Sequence, residues 1–555
     1  MPRIALLPLL AALAISCRRD AAPAPHAVSE APVAAPATLV AEGTLRDPDA
    51  FWGRLRQGGG AATMRMPETA AGAVFAWAGI DPALAPLISG KLPFHVAIGD
   101  GAGGIAFAIA MKLSNLETVR SALVEGDTAR YRGEEIDGMI HLLPRDDATP
   151  SLALAVSWSG YLVIASSASE LAGLGAYAAR TLPAKPLPAS SFQLRMEPAA
   201  LERAGEKAPD FAAGAIAAWA RGVLPPEVDA AAVAACFAPG IRDAAAMASD
   251  LREARVDADV DDASFDAVVT LEPKPGDNGA RRHLNAMRPA DPSPLLDAPR
   301  EAIAALFWSD TADLRADGAS TLGPCLGRAL APILGSHGGP KMANLLAAWA
   351  RGRGDWETAA FIDRPSVAGL VVRAPVADGA AASASLRGAA DLVSQPSFAD
   401  SIRRLLPLRA GGVEPIDVPR VGKGSVVMFP THPPPSRGTA DPPAASPNLA
   451  PPGLAWAVDA KEVDIGLGQA PSELLALTRP AASLRTAASI ERAVRALGPD
   501  VTFAAIVVPP GCCTSAAAAA APLTLGWGRH DGQGAAKLTI GDALLARILA
   551  QVTGP

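Results

Sequence analysis

Residues 152–166 read LALAVSWSGYLVIAS, and this stretch decides the fold class. It holds two short apolar runs, 152–158 and 161–166, separated by a Ser-Gly pair that is typical of turns. Runs of this length and composition predict buried strands. A helix is predicted next, starting at Ser169-Glu170-Leu171 and continuing to about residue 180.

The same order of elements recurs in the second half of the chain. Strands are predicted at 454–459 and 462–466, and a helix follows from Ser472-Glu473-Leu474 to about residue 479. Further predicted segments correspond in the same order: 105–113 with 367–375, 114–125 with 381–393, 129–136 with 413–419, 139–144 with 424–430, 191–196 with 501–508, and 267–272 with 536–540. Recurrence in a fixed order predicts an internal duplication.

We therefore predict an α+β fold of two duplicated domains, each a largely antiparallel sheet with helices packed on one face. The first copy spans residues 41–290 and contains an Ala-rich helical insert at 197–253, broken at Pro225-Pro226. The second copy spans residues 291–555 and contains a Pro-rich loop at 431–453, where the first copy has only a short loop.

Composition indicates a folded, multidomain protein that does not bind nucleic acid. The 555 residues are 50% hydrophobic and 19% charged, which is enough apolar material for large cores. The net charge is −7, from 49 basic and 56 acidic residues. Because Lys and Arg are not clustered, nothing in the sequence would track a phosphate backbone.

The N-terminus has the pattern of an export signal. Arg3 precedes an unbroken apolar run at residues 4–15, and Ser16 precedes Cys17. A helix that crosses a bilayer needs about 20 apolar residues, so this run is too short to be a permanent anchor.

Leu13-Ala14-Ile15-Ser16-Cys17 resembles the lipobox of bacterial lipoproteins, although Ala14 stands where that family usually has Leu. The resemblance implies that residues 1–16 are a signal peptide and that Cys17 carries membrane lipid. It also implies an outer-membrane location facing the periplasm, because Arg18 replaces the Asp that favours inner-membrane retention. Ordinary secretory cleavage, which would leave a soluble periplasmic protein, is the alternative.

Residues 17–40 are predicted to be a disordered tether, rich in Ala and Pro and without aromatic side chains. A body on such a leash loosely resembles predicted envelope lipoproteins of high-GC Gram-negative bacteria, a resemblance that carries no activity with it.

Four cysteines besides Cys17 form possible disulfides: Cys236, Cys325, Cys512 and Cys513. An even number suits an oxidising compartment. Since adjacent cysteines would close a strained ring, pairing of Cys512 or Cys513 with Cys236 or Cys325 is preferred. Buried free thiols are the alternative.

Two motifs resemble ligand sites and are interpreted as structural. Gly99-Asp-Gly-Ala-Gly-Gly104 matches a dinucleotide fingerprint, but a strand follows it where a helix is required, so we predict a hairpin. Asp257, Asp259 and Asp261 alternate with apolar residues as on a half-solvated strand, and the Gly and Glu of a calcium loop are absent.

The histidines show no zinc spacing, and no GxSxG motif is present. They are His26, His95, His141, His283, His337, His432 and His530. We predict no catalytic residue, cofactor or metal site. The sequence favours a non-enzymatic lipoprotein that binds an envelope protein, peptide or glycan; a periplasmic hydrolase and a carrier of an apolar ligand are the alternatives.

Overall fold

The computed structural model describes the chain with gaps. The described residues are 31–58, 63, 66–101, 104–124, 131–145, 152–224, 227–261, 264–335, 338–393, 411–429, 452–509, 521–542 and 544–546. The predicted signal peptide, Cys17, the break at residues 225–226, residues 431–451 of the predicted loop, and Cys512 with Cys513 lie outside them. Residues 452–453 of that loop are described and begin a strand.

The structure contains twenty named strands among the described residues, and most of the segments predicted as strands are among them. The first ten are β1 (Leu39–Leu45), β2 (Phe94–Gly101), β3 (Gly104–Lys112), β4 (Tyr131–Ile136), β5 (Met139–Pro144), β6 (Ala153–Ser157), β7 (Tyr161–Ala165), β8 (Phe192–Met196), β9 (Leu251–Val260) and β10 (Ser264–Pro273). The next ten are β11 (Ala302–Ser309), β12 (Trp356–Asp363), β13 (Ala368–Pro375), β14 (Val413–Val418), β15 (Gly422–Met428), β16 (Pro452–Val458), β17 (Glu462–Gln469), β18 (Val501–Val507), β19 (Leu523–His530) and β20 (Gln533–Gly541).

Helices occupy the connections. They are α1 (Pro48–Gly58), α2 (Ala70–Ala78), α3 (Leu116–Leu123), α4 (Ala168–Glu170), α5 (Pro198–Val223), α6 (Ala230–Ser249), α7 (Gly279–Ala286), α8 (Ala312–Ala329), α9 (Ala331–Leu334), α10 (Gly338–Gly352), α11 (Gly379–Val393), α12 (Pro471–Ala476) and α13 (Ala488–Leu497). The chain is thus mixed α+β, as predicted.

The chain divides into two compact units. Unit 1 comprises residues up to Arg203, Leu251–Glu272 and the end from Leu545; unit 2 comprises Ala204–Asp250 and Pro273–Leu544.

In unit 1 the strand order is β10-β9-β8-β1-β2-β3-β7-β6-β5-β4. Every pair from β9 to β4 is antiparallel. Asp137 and Gly138, which connect β4 to β5, both have positive φ (51° and 71°), the geometry of a tight hairpin turn.

In unit 2 the strand order is β20-β19-β18-β11-β12-β13-β17-β16-β15-β14, and these pairs are antiparallel. Each strand of unit 1 therefore has a counterpart ten strands later in the chain at the same place in the order. The β2–β3 hairpin predicted around Gly99–Gly104 is confirmed, with Gly101 opposite Gly104.

The prediction that helices pack on one face is wrong, because helices cover both faces in each unit. In β7, Leu162 and Ile164 pack in a core with α2, whereas Val163 and Ala165 pack in a second core with the segment after α4. In unit 2, Leu454 and Trp456 of β16 share a core with Leu386 of α11, and Ala455 and Ala457 share another with Leu475 of α12. A strand that is apolar at every position is buried on both faces. The continuous apolar runs at 152–158 and 161–166 are of this kind.

The helix predicted at 169–180 forms, but with an unusual hydrogen-bond pattern. After the short α4 it continues as π-helical segments at Leu171–Gly175 and Tyr177–Thr181. Gly175 allows the close approach to the sheet, because a Cβ there would lie 3.1 Å from Val163.

The predicted tether is ordered at its C-terminal end. The backbone N–H of Val33 donates to Thr181 Oγ1 (2.9 Å), whose hydroxyl donates back to the Val33 carbonyl (2.7 Å), and β1 begins at Leu39. Val33 also packs against a core cluster. These contacts offset the entropy of ordering, so the boundary at residue 40 is wrong by several residues.

The segment 197–253, predicted as a helical insert of the first copy, contains α5 and α6, but β9 already begins at Leu251. Residues Ala204–Asp250 of this segment belong to unit 2. Ala220 of α5 and Val233 of α6 are buried in a cluster with Ile333 and Leu334 of α9. The apolar side chains of α5 and α6 therefore pack against residues of unit 2.

Candidate functional site

The predicted cysteine sites are partly placed. Cys236 of α6 and Cys325 of α8 form a disulfide, with their Cα atoms 5.5 Å apart. Cys236 and Cys325 were each expected to pair with Cys512 or Cys513. Because they pair with each other, that expectation is wrong. Cys17, Cys512 and Cys513 lie outside the described residues.

The acidic strand predicted at residues 257–261 is confirmed in β9, where its carboxylates bind neighbouring polar groups. Asp257 accepts hydrogen bonds from Ser190 Oγ and Gln193 Nε2, both at 2.8 Å, and Asp259 accepts from Ser191 (2.7 Å). Among the described residues, no group of three or more His, Cys, Asp or Glu side chains is arranged to hold a metal ion.

Two histidines of unit 1, His95 and His141, are buried in the core. His95 is 2% exposed, and burial lowers its pKa to about 4. Its Nδ1 lies 3.2 Å from Thr44 Oγ1, and its ring meets the edge of Tyr161. Burial also lowers the pKa of His141. Because an imidazole with so low a pKa is a weak base near neutral pH, the Thr44–His95 contact does not suit an activated nucleophile.

A polar triad in unit 1 joins the buried Glu42 and Tyr177 to Lys185, which is exposed. Tyr177 Oη donates to Glu42 Oε2 at 2.6 Å, and Lys185 Nζ donates to Glu42 Oε1 at 2.7 Å. Burial, with the hydrogen bond to Glu42, raises the pKa of Tyr177. β1 supplies Glu42, the π-helical segment supplies Tyr177, and Lys185 follows the short turn after that segment. The triad therefore holds this region against the sheet.

A buried ion cluster in unit 2 was not predicted; it consists of Asp310, Arg315, Arg353 and Glu357. Asp310 Oδ1 lies 2.7 Å from Arg315 Nη1, and Asp310 Oδ2 lies 2.6 Å from Arg353 Nη2. Arg353 Nε is also 3.1 Å from Glu357 Oε2. The two arginine side chains are 4% and 7% exposed. Buried charges of this kind are tolerated only when paired. Asp310 directly follows β11 and Arg353 directly follows α10, so the cluster links the ends of these two elements to α8 and β12.

Glu357 gives the ion cluster a dependence on pH. Burial outweighs the attraction of Arg353 and raises the pKa of the Glu357 carboxyl to about 7. The folded protein thus holds this proton more tightly than the unfolded chain, in which the pKa is 4.5. The free energy of unfolding therefore falls as pH rises from about 4.5 to 7, and the loss is complete above that range.

We expect Glu357→Gln, which mimics the protonated side chain, to remove this part of the pH dependence. Near pH 5 the variant and the wild type should be similar in stability, and by pH 8 the variant should gain about 3 kcal/mol relative to the wild type. Urea unfolding at a series of pH values measures the difference. Glu491→Gln on α13, where Glu491 pairs with Arg495 at the surface, is the control and should show no such trend. A pH-independent difference for Glu357→Gln would contradict the assignment.

A second ionic network borders a shallow crevice in unit 2. Arg479 Nη2 lies 2.8 Å from Asp464 Oδ2 and 2.7 Å from Asp459 Oδ2. Burial alone would raise the pKa of Asp459, but hydrogen bonds from Arg479 and two backbone N–H groups lower it to about 2. Arg373, which lines the crevice, is paired with both Glu462 and Asp297.

The crevice encloses about 260 Å³, open solvent included. Because its charged side chains already have partners of opposite sign, the crevice offers no unbalanced charge to a ligand.

Among the described residues, the two most exposed large apolar side chains lie on α5 and form an apolar stripe. Phe211 is 81% exposed and Trp219 is 60% exposed. Ala215, midway between them, is exposed as well, and positions four apart lie on one side of a helix. On another side of the same helix Ala220 is fully buried, so α5 presents apolar residues both to the core and to solvent.

Among the described residues, α6 alone is long and apolar enough to cross a membrane by length and composition, with 28% of its span buried. Its disulfide and the burial of Val233 fasten it to unit 2, and we assign it no spanning role.

Comparisons with known proteins add no family assignment. No protein-family model, no curated protein and no solved structure matches the chain.

Proposed function

We propose that this chain is an exported lipoprotein of the bacterial envelope, anchored through acylated Cys17 to a membrane, with the outer membrane facing the periplasm as its location. The sequence around Cys17 carries this proposal. The Cys236–Cys325 disulfide supports export, because disulfides persist in oxidising compartments and are rare in the cytosol.

The body is proposed to be two copies of one α+β domain. The strand order supports this, because ten strands follow the same order in each unit. In both units the seventh strand pairs with the third, and the sixth, fifth and fourth strands follow it outward. The helices α5 and α6 lie within residues 197–250, which separate β8 from β9, whereas only residues 508–522 separate β18 from β19. They therefore interrupt the first copy in sequence, although most of their residues pack in unit 2.

The molecular role proposed for this body is binding without catalysis, with an envelope protein, peptide or glycan as partner. The ionisable groups of the buried clusters are engaged with one another across strands and helices, which is the arrangement of structural ion pairs. The α5 stripe, in contrast, is an apolar surface turned to solvent, and such patches mark interaction sites.

Acylation is tested by feeding cells labelled fatty acid. We expect the wild type to incorporate the label and the Cys17→Ala variant to lose it, because only this thiol would be modified. The intact mass of the wild-type protein should exceed that of residues 17–555 by the mass of its acyl chains. Cys512→Ser is the matched control and should keep the label. An unlabelled wild type with the mass of a plain cleaved polypeptide would refute the anchor and leave a soluble periplasmic protein.

The binding role is tested by cross-linking in intact cells followed by mass spectrometry of the attached molecules. We expect adducts on α5 that disappear when Phe211 and Trp219 are replaced by Ser. Hydrolysis of an envelope substrate by the purified protein would overturn the non-catalytic proposal.

A further inference from the structure

One face of the sheet in unit 2 carries apolar side chains at every position across four strands. β18 runs through its middle, so we call it the β18 face. Its side chains stand in three rows, in which residues of β11, β18, β19 and β20 are paired in register and therefore point to the same side. The rows are Trp308, Phe503, Trp527 and Ala536; Leu306, Ala505, Leu525 and Leu538; and Ala304, Val507, Leu523 and Ile540. Phe361 of β12 extends the third row beside Ala304.

The β18 face remains partly in solvent. Val507 is 42% exposed and Phe361 is 40% exposed, and in the rows only Ile540 is buried. None of these side chains belongs to the apolar clusters that the described residues form. The alternate side chains of the same strands, such as Phe307 and Ile506, are buried in one of those clusters. Since a strand that is apolar on both sides is normally covered on both sides, the β18 face has room for a second layer.

Unit 1 has the same feature on the counterparts of β18 and β19. Phe192, Leu194 and Met196 of β8 lie with Val256 of β9 on one side of that sheet, and all four are half-buried. They too belong to no apolar cluster of the described residues. The open apolar face thus occurs at the same place in the strand order of both units.

The chemistry of the β18 face suits an acyl chain better than a sugar or a peptide. No side chain in its rows is charged, and only the two Trp indoles carry a hydrogen-bonding group. The backbone groups of β18 and β19 are used in the ladders on both sides. A glycan or peptide presents many polar groups, which would lose water on this surface without gaining partners. Methylene groups carry no such cost and gain about 0.8 kcal/mol each when buried.

The area of the β18 face matches a lipid and not a second copy of the chain. Four strands about 4.8 Å apart and three rows about 7 Å apart cover about 400 Å². A stable protein–protein interface needs about 800 Å² from each partner. At about 30 Å² per methylene, an acyl chain of about sixteen carbons that lies on the sheet buries about 240 Å² on its lower side. Two such chains would therefore fill the face.

From these observations we infer that the β18 face binds the two acyl chains of a phospholipid, with the headgroup left in solvent. This ligand goes beyond the binding role proposed above, and its binding does not depend on acylation of Cys17. Because the face contacts only the chains, binding should be independent of headgroup charge and of salt.

The test uses the chain with Cys17→Ala, so that no acyl group of its own can occupy the face. The protein is incubated with phosphatidylcholine vesicles and separated from them by gel filtration, and the lipid that elutes with the protein is measured as phosphorus. We expect bound lipid, in equal amounts from phosphatidylcholine and phosphatidylglycerol vesicles. Val507→Asp combined with Phe361→Asp should raise the lipid concentration for half-saturation by about tenfold or more, because carboxylates would be covered by hydrocarbon.

Matched controls separate the β18 face from general hydrophobicity and from misfolding. Ile105→Asp combined with Leu187→Asp places the same charges at side chains that are each 55% exposed and lie in unit 1, and it should leave binding unchanged. Phosphatidylcholine with brominated acyl chains gives a second readout without a disruptive substitution. It should quench tryptophan emission less in Trp308→Phe/Trp527→Phe than in the wild type. Trp219→Phe on α5 should be quenched as the wild type is.

Four results would overturn the inference. They are absence of lipid from the eluted protein, equal binding by the Val507→Asp/Phe361→Asp variant, undiminished quenching in Trp308→Phe/Trp527→Phe, and a dimer in solution that the aspartate variant dissociates, since a second copy would then cover the face. These outcomes are independent of the anchor. Lipid binding without fatty-acid labelling of Cys17 would refute only the anchor, and labelling without lipid binding would refute only this inference.

Discussion

Asp310→Asn is expected to lower the free energy of unfolding by about 3–5 kcal/mol, the cost of removing one partner from a buried ion pair. Asp310 is bound by Arg315 and Arg353, whose side chains are almost completely buried. Without the carboxylate, two guanidinium groups would share the remaining carboxylates at Glu357 and, more distantly, Asp355. Replacement by Asn keeps the volume, so the measured loss reports charge and not packing.

Asp313→Asn is the control for this substitution. Asp313 lies three residues further on in the first turn of α8 and is exposed. Its removal should cost less than about 1 kcal/mol, the usual worth of an acid near a helix N-terminus. Urea unfolding followed by circular dichroism measures both variants. If Asp310→Asn lowered the free energy of unfolding by less than Asp313→Asn, Arg315 and Arg353 would have found other partners.

The Asp310 variant should also change the titration of Glu357. The negative charge of Asp310 contributes to the raised pKa of Glu357, although less than burial does. Without that charge the pKa of Glu357 should move back toward 4.5. We therefore expect a smaller fall in stability between pH 5 and 8 in Asp310→Asn than in the wild type. An unchanged pH profile would indicate that the two carboxyl groups do not interact.

Loss of the disulfide is expected to lower the free energy of unfolding by a similar amount. Cys236 and Cys325 are separated by 89 residues, and cross-linking a loop of that length stabilises by roughly 4–5 kcal/mol in the chain-entropy description, with 2–5 kcal/mol typically measured. The Cys236→Ala/Cys325→Ala variant should unfold at correspondingly lower urea concentration. Hydrogen exchange should accelerate most in α5 and α6, because this bond fastens their insert to α8.

Cys512→Ser combined with Cys513→Ser is the matched control, since it leaves the Cys236–Cys325 pair intact. Peptide mapping of the oxidised protein provides the direct test of connectivity. Recovery of Cys236 joined to Cys512 or Cys513 would contradict the structure and support the pairing that the sequence analysis preferred. An oxidised wild type no more stable than the double alanine variant would show that the bond constrains little.

Local pattern predicted most of the strands and helices correctly. The apolar runs at 152–158 and 161–166 are β6 and β7, and the insert is helical on both sides of Pro225-Pro226. The acidic alternation at 257–261 lies in β9 except for Asp261, which follows the last residue of the strand. Each of these predictions rests on side-chain periodicity, which a short stretch of sequence carries by itself.

Predictions that depended on partners distant in sequence failed more often. Side-chain patterns predict helices on one face of each sheet, an insert that packs in the first copy, and a tether that ends at residue 40. In the structure Val33 already contacts Thr181, 148 residues away. The ion cluster was missed altogether, because its residues belong to separate elements and no spacing relates Asp310 to Arg353.

The sequence by itself determined the α+β class, the order of elements in each half and the N-terminal pattern at Cys17, because all three are written in local periodicity and composition. Only the tertiary structure decided which charges are buried together, which cysteines pair and which side of α5 is left in solvent. The physical reason is that an Ala-rich helix has several apolar faces, and which of them packs depends on the neighbours that the fold supplies.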